Sequence, residues 1–201
     1  MSKTKRVCCS CVCAWSAIVA GLLIAGEDAA KVLCSNGVVT FESPTNVAGV
    51  EIKGKSSALS AGADVSADGN QLVLRNVQAS VPVGSLQTGM KMRDEHMRRY
   101  IFRTAAGDEP DLRFSADNAT CASAGAHEYQ CAVLGALEVR GASRPTEFNV
   151  KVKGEGVSYR ASLDTVIKLS TFGIERPSQF GVKPADDVKV HVEFAARAGT
   201  Q

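Results

Sequence analysis

The chain has 201 residues, with 23 basic and 21 acidic side chains and a net charge of +2. That length suits one domain with a substantial core. A near-neutral balance with no Lys/Arg run after residue 6 excludes a nucleic-acid footprint.

The N-terminus differs from everything after it. Lys3, Lys5 and Arg6 precede an uncharged stretch from Val7 to Gly26. A positive segment followed by an apolar one is the pattern of a secretory signal. Ala29 and Ala30 supply small residues for cleavage, although Glu27 and Asp28 stand close upstream. The apolar stretch is also long enough to span a bilayer uncleaved, so residues 7–26, if retained, would associate the protein with a membrane. Residues 1–30 therefore read as a signal peptide or an N-terminal membrane anchor, and residues 31–201 as one exported domain.

The seven cysteines divide along the same line. Cys8, Cys9, Cys11 and Cys13 lie in the apolar stretch and lack a nearby His or Asp, so they read as small apolar residues and not as metal ligands. Cys34 lacks the small residues that would precede a lipidation site. Cys121 and Cys131 flank Ser123-Ala124-Gly125-Ala126, which can turn the chain, and are expected to face each other across a hairpin as a disulfide. The competing pairing joins Cys34 to one of them.

Period-2 alternation dominates from Val38 onward. Val50-Glu51-Ile52 is a weak first candidate, and the Ala/Gly/Ser-rich piece at 56–64 reads as a strand margin. Asp68-Gly69-Asn70 marks a turn before a row of Leu72 and Leu74, whose phase slips at Arg75-Asn76 and resumes at Val77, Ala79 and Val81. Such a slip predicts a bulge. Met90 to Arg99 is rich in helix formers and predicts one short helix around residues 90–99. Leu112-Arg113-Phe114 follows as a strand candidate, and Cys131, Val133, Gly135, Leu137 and Val139 form the next clear row. Arg140 to Pro145 turns the chain into a row of Phe148, Val150 and Val152; Lys153-Gly154-Glu155-Gly156 turns it again into Tyr159, Ala161 and Leu163. The last row, Val188, Val190, Val192 and Phe194, alternates with Lys189, His191 and Glu193.

Seven to nine strands with short connections predict an all-β, antiparallel sandwich or closed barrel with a single interior. A closed barrel of about eight strands can hold one small ligand. Arg93, Asp94 and His96 form the one compact titratable cluster of the chain's middle, but residues two apart on a helix do not share a face, and no Ser or Cys nucleophile adjoins them. His96, His127 and His191 are too dispersed for metal-ligand spacing, and no cofactor motif is present.

Three segments carry a family resemblance over roughly residues 38 to 196. They are Thr88-Gly89-Met90-Lys91-Met92-Arg93-Asp94-Glu95-His96-Met97; Leu134-Gly135-Ala136-Leu137-Glu138-Val139-Arg140-Gly141-Ala142-Ser143-Arg144-Pro145; and Ser170-Thr171-Phe172-Gly173-Ile174 with Asp187-Val188-Lys189-Val190. In this order they resemble the YceI-like family, small periplasmic barrels that bind polyisoprenoid-type lipids. The chain departs from the family at Tyr100-Ile101-Phe102, where a Phe-Phe pair commonly stands, at Cys34-Ser35-Asn36-Gly37, and in the Cys121/Cys131 hairpin.

The resemblance implies an antiparallel eight-stranded, lipocalin-like barrel that encloses an isoprenoid or other long-chain lipid. It also implies a periplasmic location, or a membrane-anchored one if the N-terminal segment is uncleaved. The ligand-lining residues expected from the apolar rows are Leu72, Leu74, Leu137, Phe148, Leu163, Phe172 and Phe194, with Phe102 and Phe114 near the helix. Arg93 and Asp94 are expected to tie the helix to the barrel rim. The rival readings are an envelope barrel with a filled core and an enzyme using Arg93, Asp94 and His96. Sequence leaves the choice between monomer and homodimer open.

Overall fold

The computed structural model describes residues 29–68, 70–156, 158–178 and 181–198. The N-terminal apolar stretch and its four cysteines lie outside the described residues, so the signal-or-anchor expectation has no structural counterpart here. Among the described residues no helix is long and apolar enough to cross a membrane.

Eight antiparallel strands close into a barrel in chain order: β1 Ala30–Pro44, β2 Glu51–Asp68, β3 Gln71–Val81, β4 Leu112–Gly125, β5 Glu128–Val139, β6 Ala142–Glu155, β7 Ser158–Lys168 and β8 Asp187–Ala198. β1 pairs with β8 to complete the ring, from Val32 opposite Ala198 to Glu42 opposite Lys189. Closure leaves no sheet edge at that seam. The expected first strand starts too late: Cys34 to Gly37 lie within β1, where register shifts flank Gly37. The 56–64 segment is no margin either, since it runs through the middle of β2. Small residues suit that position because the opposing side chains crowd it. A Cβ on Gly62 would stand 3.0 Å from the Leu33 side chain of β1.

The connections sort to two ends. At the turn end, short links join β2 to β3, β4 to β5 and β6 to β7, and both termini of the described barrel lie there. At the helix end lie the longer segments 45–50, 82–111 and 169–186 and the two-residue turn Arg140-Gly141. That turn has φ of 54° and 75°, the left-handed pair that matches the twist of an antiparallel hairpin. The predicted slip at Arg75-Asn76 is a bulge. Register shifts between Gly62 and Asp64 on β2, Asn76 takes a φ of 51°, and its side-chain amide donates to Asp64 at 2.6 Å.

The ladder between β6 and β7 covers only five register pairs, Lys151–Ser162 to Glu155–Ser158, whereas β5–β6 and β7–β8 pair along their whole lengths. Toward the helix end these two strands part. The 3₁₀ turn Leu169–Phe172 sits beside the gap, and Arg144 Nε of β6 donates to its Thr171 carbonyl at 3.0 Å.

The helix end is closed in part by the inserted segment. Helix α1 spans Lys91–Met97 and continues as a π-helical turn, Arg98–Phe102, so the helical stretch ends three residues later than sequence suggests. Two loops at this end are laced together. Asn46 accepts from the Lys183 N–H through its side-chain oxygen at 2.6 Å, and donates its own N–H to the Lys183 carbonyl at 3.0 Å.

Ser170 donates its N–H (2.9 Å) and its hydroxyl (2.6 Å) to the Asp186 carboxylate, which holds that carboxyl below its ordinary value. A depressed folded-state value means that the contribution is present above the ordinary carboxylate range and is lost as pH falls through the folded value. The stability difference between wild type and Asp186→Asn should therefore shrink on acidification. Denaturant midpoints measured at neutral and acid pH check this.

Where β4 and β5 lose register between Ser115/Ala136 and Cys121/Cys131, β4 crosses close to Gly135. A Cβ there would lie 2.3 Å from the Ser115 carbonyl oxygen and 2.6 Å from the Phe114 ring. Backbone cannot yield as a flexible side chain does, so Gly135→Ala should cost about 2 kcal/mol or more. A denaturant melt showing an unchanged midpoint would contradict this packing.

Candidate functional site: an apolar barrel interior with a polar neighbour

The inward rows of all eight strands surround a cavity of about 690 Å³. Its walls are almost wholly carbon. β3 contributes Leu72, Leu74, Val77, Ala79 and Val81; β6 contributes Phe148, Val150 and Val152; β8 contributes Val188, Val190, Val192, Phe194 and Ala196. The bulge at Asn76 keeps both halves of β3 facing inward, which is why its phase slips in sequence. The Phe114 ring of β4 reaches over Gly135 of β5 to meet Phe148 of β6 on the same wall, with ring centroids 4.8 Å apart in a tilted pair.

The two ends of the cavity differ. At the turn end, Val32, Val65, Leu72, Cys121, Cys131, Val133 and Ala196 pack as a buried cluster. At the helix end, Val50, Met90 and Met92 line the cavity and are also exposed, Met90 by 57% and Met92 by 67%. The mouth therefore lies between the start of α1 and the loop before β2.

Of the nine expected lining residues, Leu72, Leu74, Phe102, Phe114, Leu137, Phe148, Leu163 and Phe194 line the cavity. Phe172 does not, and the expectation for it is corrected. It belongs to the 3₁₀ turn and not to a strand, and it is buried in the core cluster with Leu169 and Ile174, so strand alternation does not govern where it points. Val50, Met90 and Met92 were missed as mouth residues. Their position depends on how two loops meet, which no local periodicity reports.

The Arg93-Asp94-His96 cluster splits by partner: Arg93 and Asp94 bond to Thr88, and His96 does not. Asp94 is buried and accepts from both the N–H (2.7 Å) and the hydroxyl of Thr88, while Arg93 Nη2 donates to the Thr88 carbonyl at 2.7 Å. Thr88 follows Gln87, whose backbone exchanges two hydrogen bonds with Lys55 of β2. Both side chains thus fasten α1 to a segment that is itself pinned to the barrel. His96, one turn after Arg93, shares the cavity wall with it. Its ring tilts against Tyr100 at 4.3 Å, lines the cavity, and leaves Nε2 buried without a partner, as is Arg93 Nε.

An open surface recess adjoins this cavity. Met92 and His96 line both. Its remaining walls are Glu95, Arg98, Arg99, Tyr100, Arg103 and Glu109, so a polar, arginine-rich recess stands against an apolar one. The π-helical turn gathers Arg98 and Arg99 with Arg103.

His191 faces outward as its row predicts and meets Asp164 at 2.8 Å. His127 takes a φ of 59° in the β4–β5 turn. Cys121 and Cys131 stand directly opposite across β4 and β5 and form the expected disulfide, leaving Cys34 free among the described residues.

Solved structures share this fold. BcnA of Burkholderia cenocepacia aligns with a TM-score of 0.60 at 21% identity, covering 79% of this chain and 95% of its own. A polyisoprenoid binding domain from Saccharophagus degradans, implicated in plant cell wall breakdown, aligns with a TM-score of 0.60 at 17% identity over 85% of this chain and 99% of its own. The YCEI protein of Campylobacter jejuni gives a TM-score of 0.59 at 18% identity, covering 77% of this chain and 90% of its own. A search of curated proteins finds no match. The YceI-like domain family model matches residues 32–196, almost the whole barrel, and the chain belongs to that family.

Proposed function

We propose that this protein is an exported, non-enzymatic binding protein that holds one long apolar lipid of the isoprenoid class inside its barrel, as a carrier or store. The observation that carries the reading is the interior itself, a cavity of about 690 Å³ with walls of Leu, Val, Ile and Phe. That volume falls within the roughly 300–1,000 Å³ of small-molecule sites. Each methylene moved from water into such walls gains about 0.8 kcal/mol, so an extended hydrocarbon binds tightly without any reacting group. A filled barrel would not leave this space, and the polyisoprenoid binding domain shares the fold.

Two further observations support the reading. Arg93 and Asp94 are engaged with Thr88, which suits a fastening role better than acid–base chemistry. Export is supported by the basic start followed by the apolar stretch and by the Cys121–Cys131 disulfide, which an oxidising compartment maintains.

Native mass spectrometry of gently purified protein tests the function. A retained mass that extracts into organic solvent and shows isoprene-unit spacing is expected; protein that is bare after both gentle purification and incubation with prenols would overturn it. For export, protein from an envelope fraction should begin near Lys31 or stay membrane-bound with residues 1–30 attached. Full-length soluble protein recovered from the cytoplasm would be incompatible with both.

A further inference from the structure

The arginine-rich recess beside the mouth is not used by a purely hydrocarbon ligand. We propose that it is a head-group subsite, and that the lipid held in the barrel is an isoprenoid phosphate whose chain fills the apolar cavity and whose phosphate sits among Arg98, Arg99 and Arg103. This inference rests on the lipid-in-barrel reading above and names the chemistry of the ligand's polar end.

Three observations carry it. The polar recess and the apolar cavity share a wall, Met92 and His96, so one amphipathic molecule entering at the mouth has an oily path and a polar path side by side. Met92 is mostly exposed, and an exposed methionine can swing aside at small cost. The recess also holds three arginines against two glutamates, Glu95 and Glu109, which leaves one net positive charge. Arg98 and Arg103 both converge on Glu109, at 4.0 Å and 2.7 Å, and one carboxylate cannot saturate ten guanidinium N–H donors. Finally, Arg99 lies over the Tyr100 ring, 5.4 Å from its centroid, and has no salt-bridge partner among the described residues.

Spare, planar, forked donors held near one another are what a phosphate monoester accepts best, because it offers several oxygens to two or three guanidinium groups at once. An uncharged alcohol head would leave those donors unused. The gathering depends on the π-helical turn Arg98–Phe102 and on Arg103 just after it.

The test compares geranylgeranyl phosphate with geranylgeraniol, the same chain with and without the charge. Wild type should bind the phosphate at least about 10-fold more tightly at low salt, with the preference shrinking as salt is added. Arg99→Gln/Arg103→Gln should bring the two affinities within about 2-fold while leaving the alcohol's affinity unchanged. Circular dichroism checks the fold, and the single exposed-site variant Arg99→Gln, with a partial loss of preference, serves if the double variant does not fold. Equal binding of the two lipids by wild type would overturn the head-group assignment and leave the lipid-in-barrel reading standing. A preference retained in the double variant would move the subsite away from the recess and overturn the assignment too. Failure to bind either lipid would overturn both readings. Inorganic phosphate is the third probe: displacement of the prenyl phosphate by inorganic phosphate in modest excess would assign the recess to the free ion and overturn the lipid assignment, whereas no displacement supports it.

Discussion

Phe148→Asp and Leu137→Asp should each yield a folded barrel that purifies without lipid. Both residues line the cavity, and Phe148 forms the tilted ring pair with Phe114. In an empty barrel a carboxylate at either place keeps a hydration shell, because the interior opens to solvent at the mouth. A hydrocarbon chain threaded past it would strip that shell, and burying a polar group without compensation costs roughly 2–7 kcal/mol, more for a charge. Against about 0.8 kcal/mol per buried methylene, that offsets several methylenes of gain and lowers affinity at least about 100-fold. Lipid in an organic extract of each variant is the measurement, with circular dichroism to check folding. Undiminished lipid in both folded variants would place the chain somewhere other than the barrel interior.

The second large effect is on stability. Cys121 and Cys131 are fully buried register partners with Cα atoms 4.0 Å apart, ten residues apart in sequence. Closing so short a loop removes denatured-state freedom worth about 2–3 kcal/mol by the chain-entropy argument. The bridge also borders the stretch where β4 and β5 lose register, so it fixes their alignment on the turn side of the irregularity. Cys121→Ala/Cys131→Ala should lower Tm by about 5–10 °C for a domain of this size. A second check is peptide mapping without reduction. It should recover a linked Cys121–Cys131 peptide with Cys34 alkylatable; any intrachain linkage through Cys34 as the main species would contradict the bridge.

How far these features could be read in advance varies with their range. The hairpin disulfide follows from two cysteines, a flexible turn and a shared row, all within a dozen residues. The β3 bulge shows as a phase slip at Arg75-Asn76 because a bulge displaces every later side chain by one. The start of β1 was hidden because Cys34-Ser35-Asn36-Gly37 has no alternation to detect; its pairing with β2 and β8 is what makes it strand. Phe172 misleads for the opposite reason: it is a large apolar residue just after a strand, and its turn directs it into the core cluster of the helix end, with Leu169 and Ile174, instead of the cavity.

By itself, then, the sequence determined which faces are buried. Alternation with period 2 assigns each side chain to one side of its strand, and a short run of helix formers interrupts that rhythm once. Whether eight buried rows meet in a solid core or stand apart around a space was decided only by the tertiary structure, because the interior width depends on strand number and stagger, which no single strand records. The same holds for the mouth at Val50, Met90 and Met92 and for the recess at Arg98, Arg99 and Arg103. Each is formed where segments distant in sequence, or a helical turn of unusual pitch, bring side chains together, and the energy of that meeting lies in contacts that do not exist until the barrel has closed.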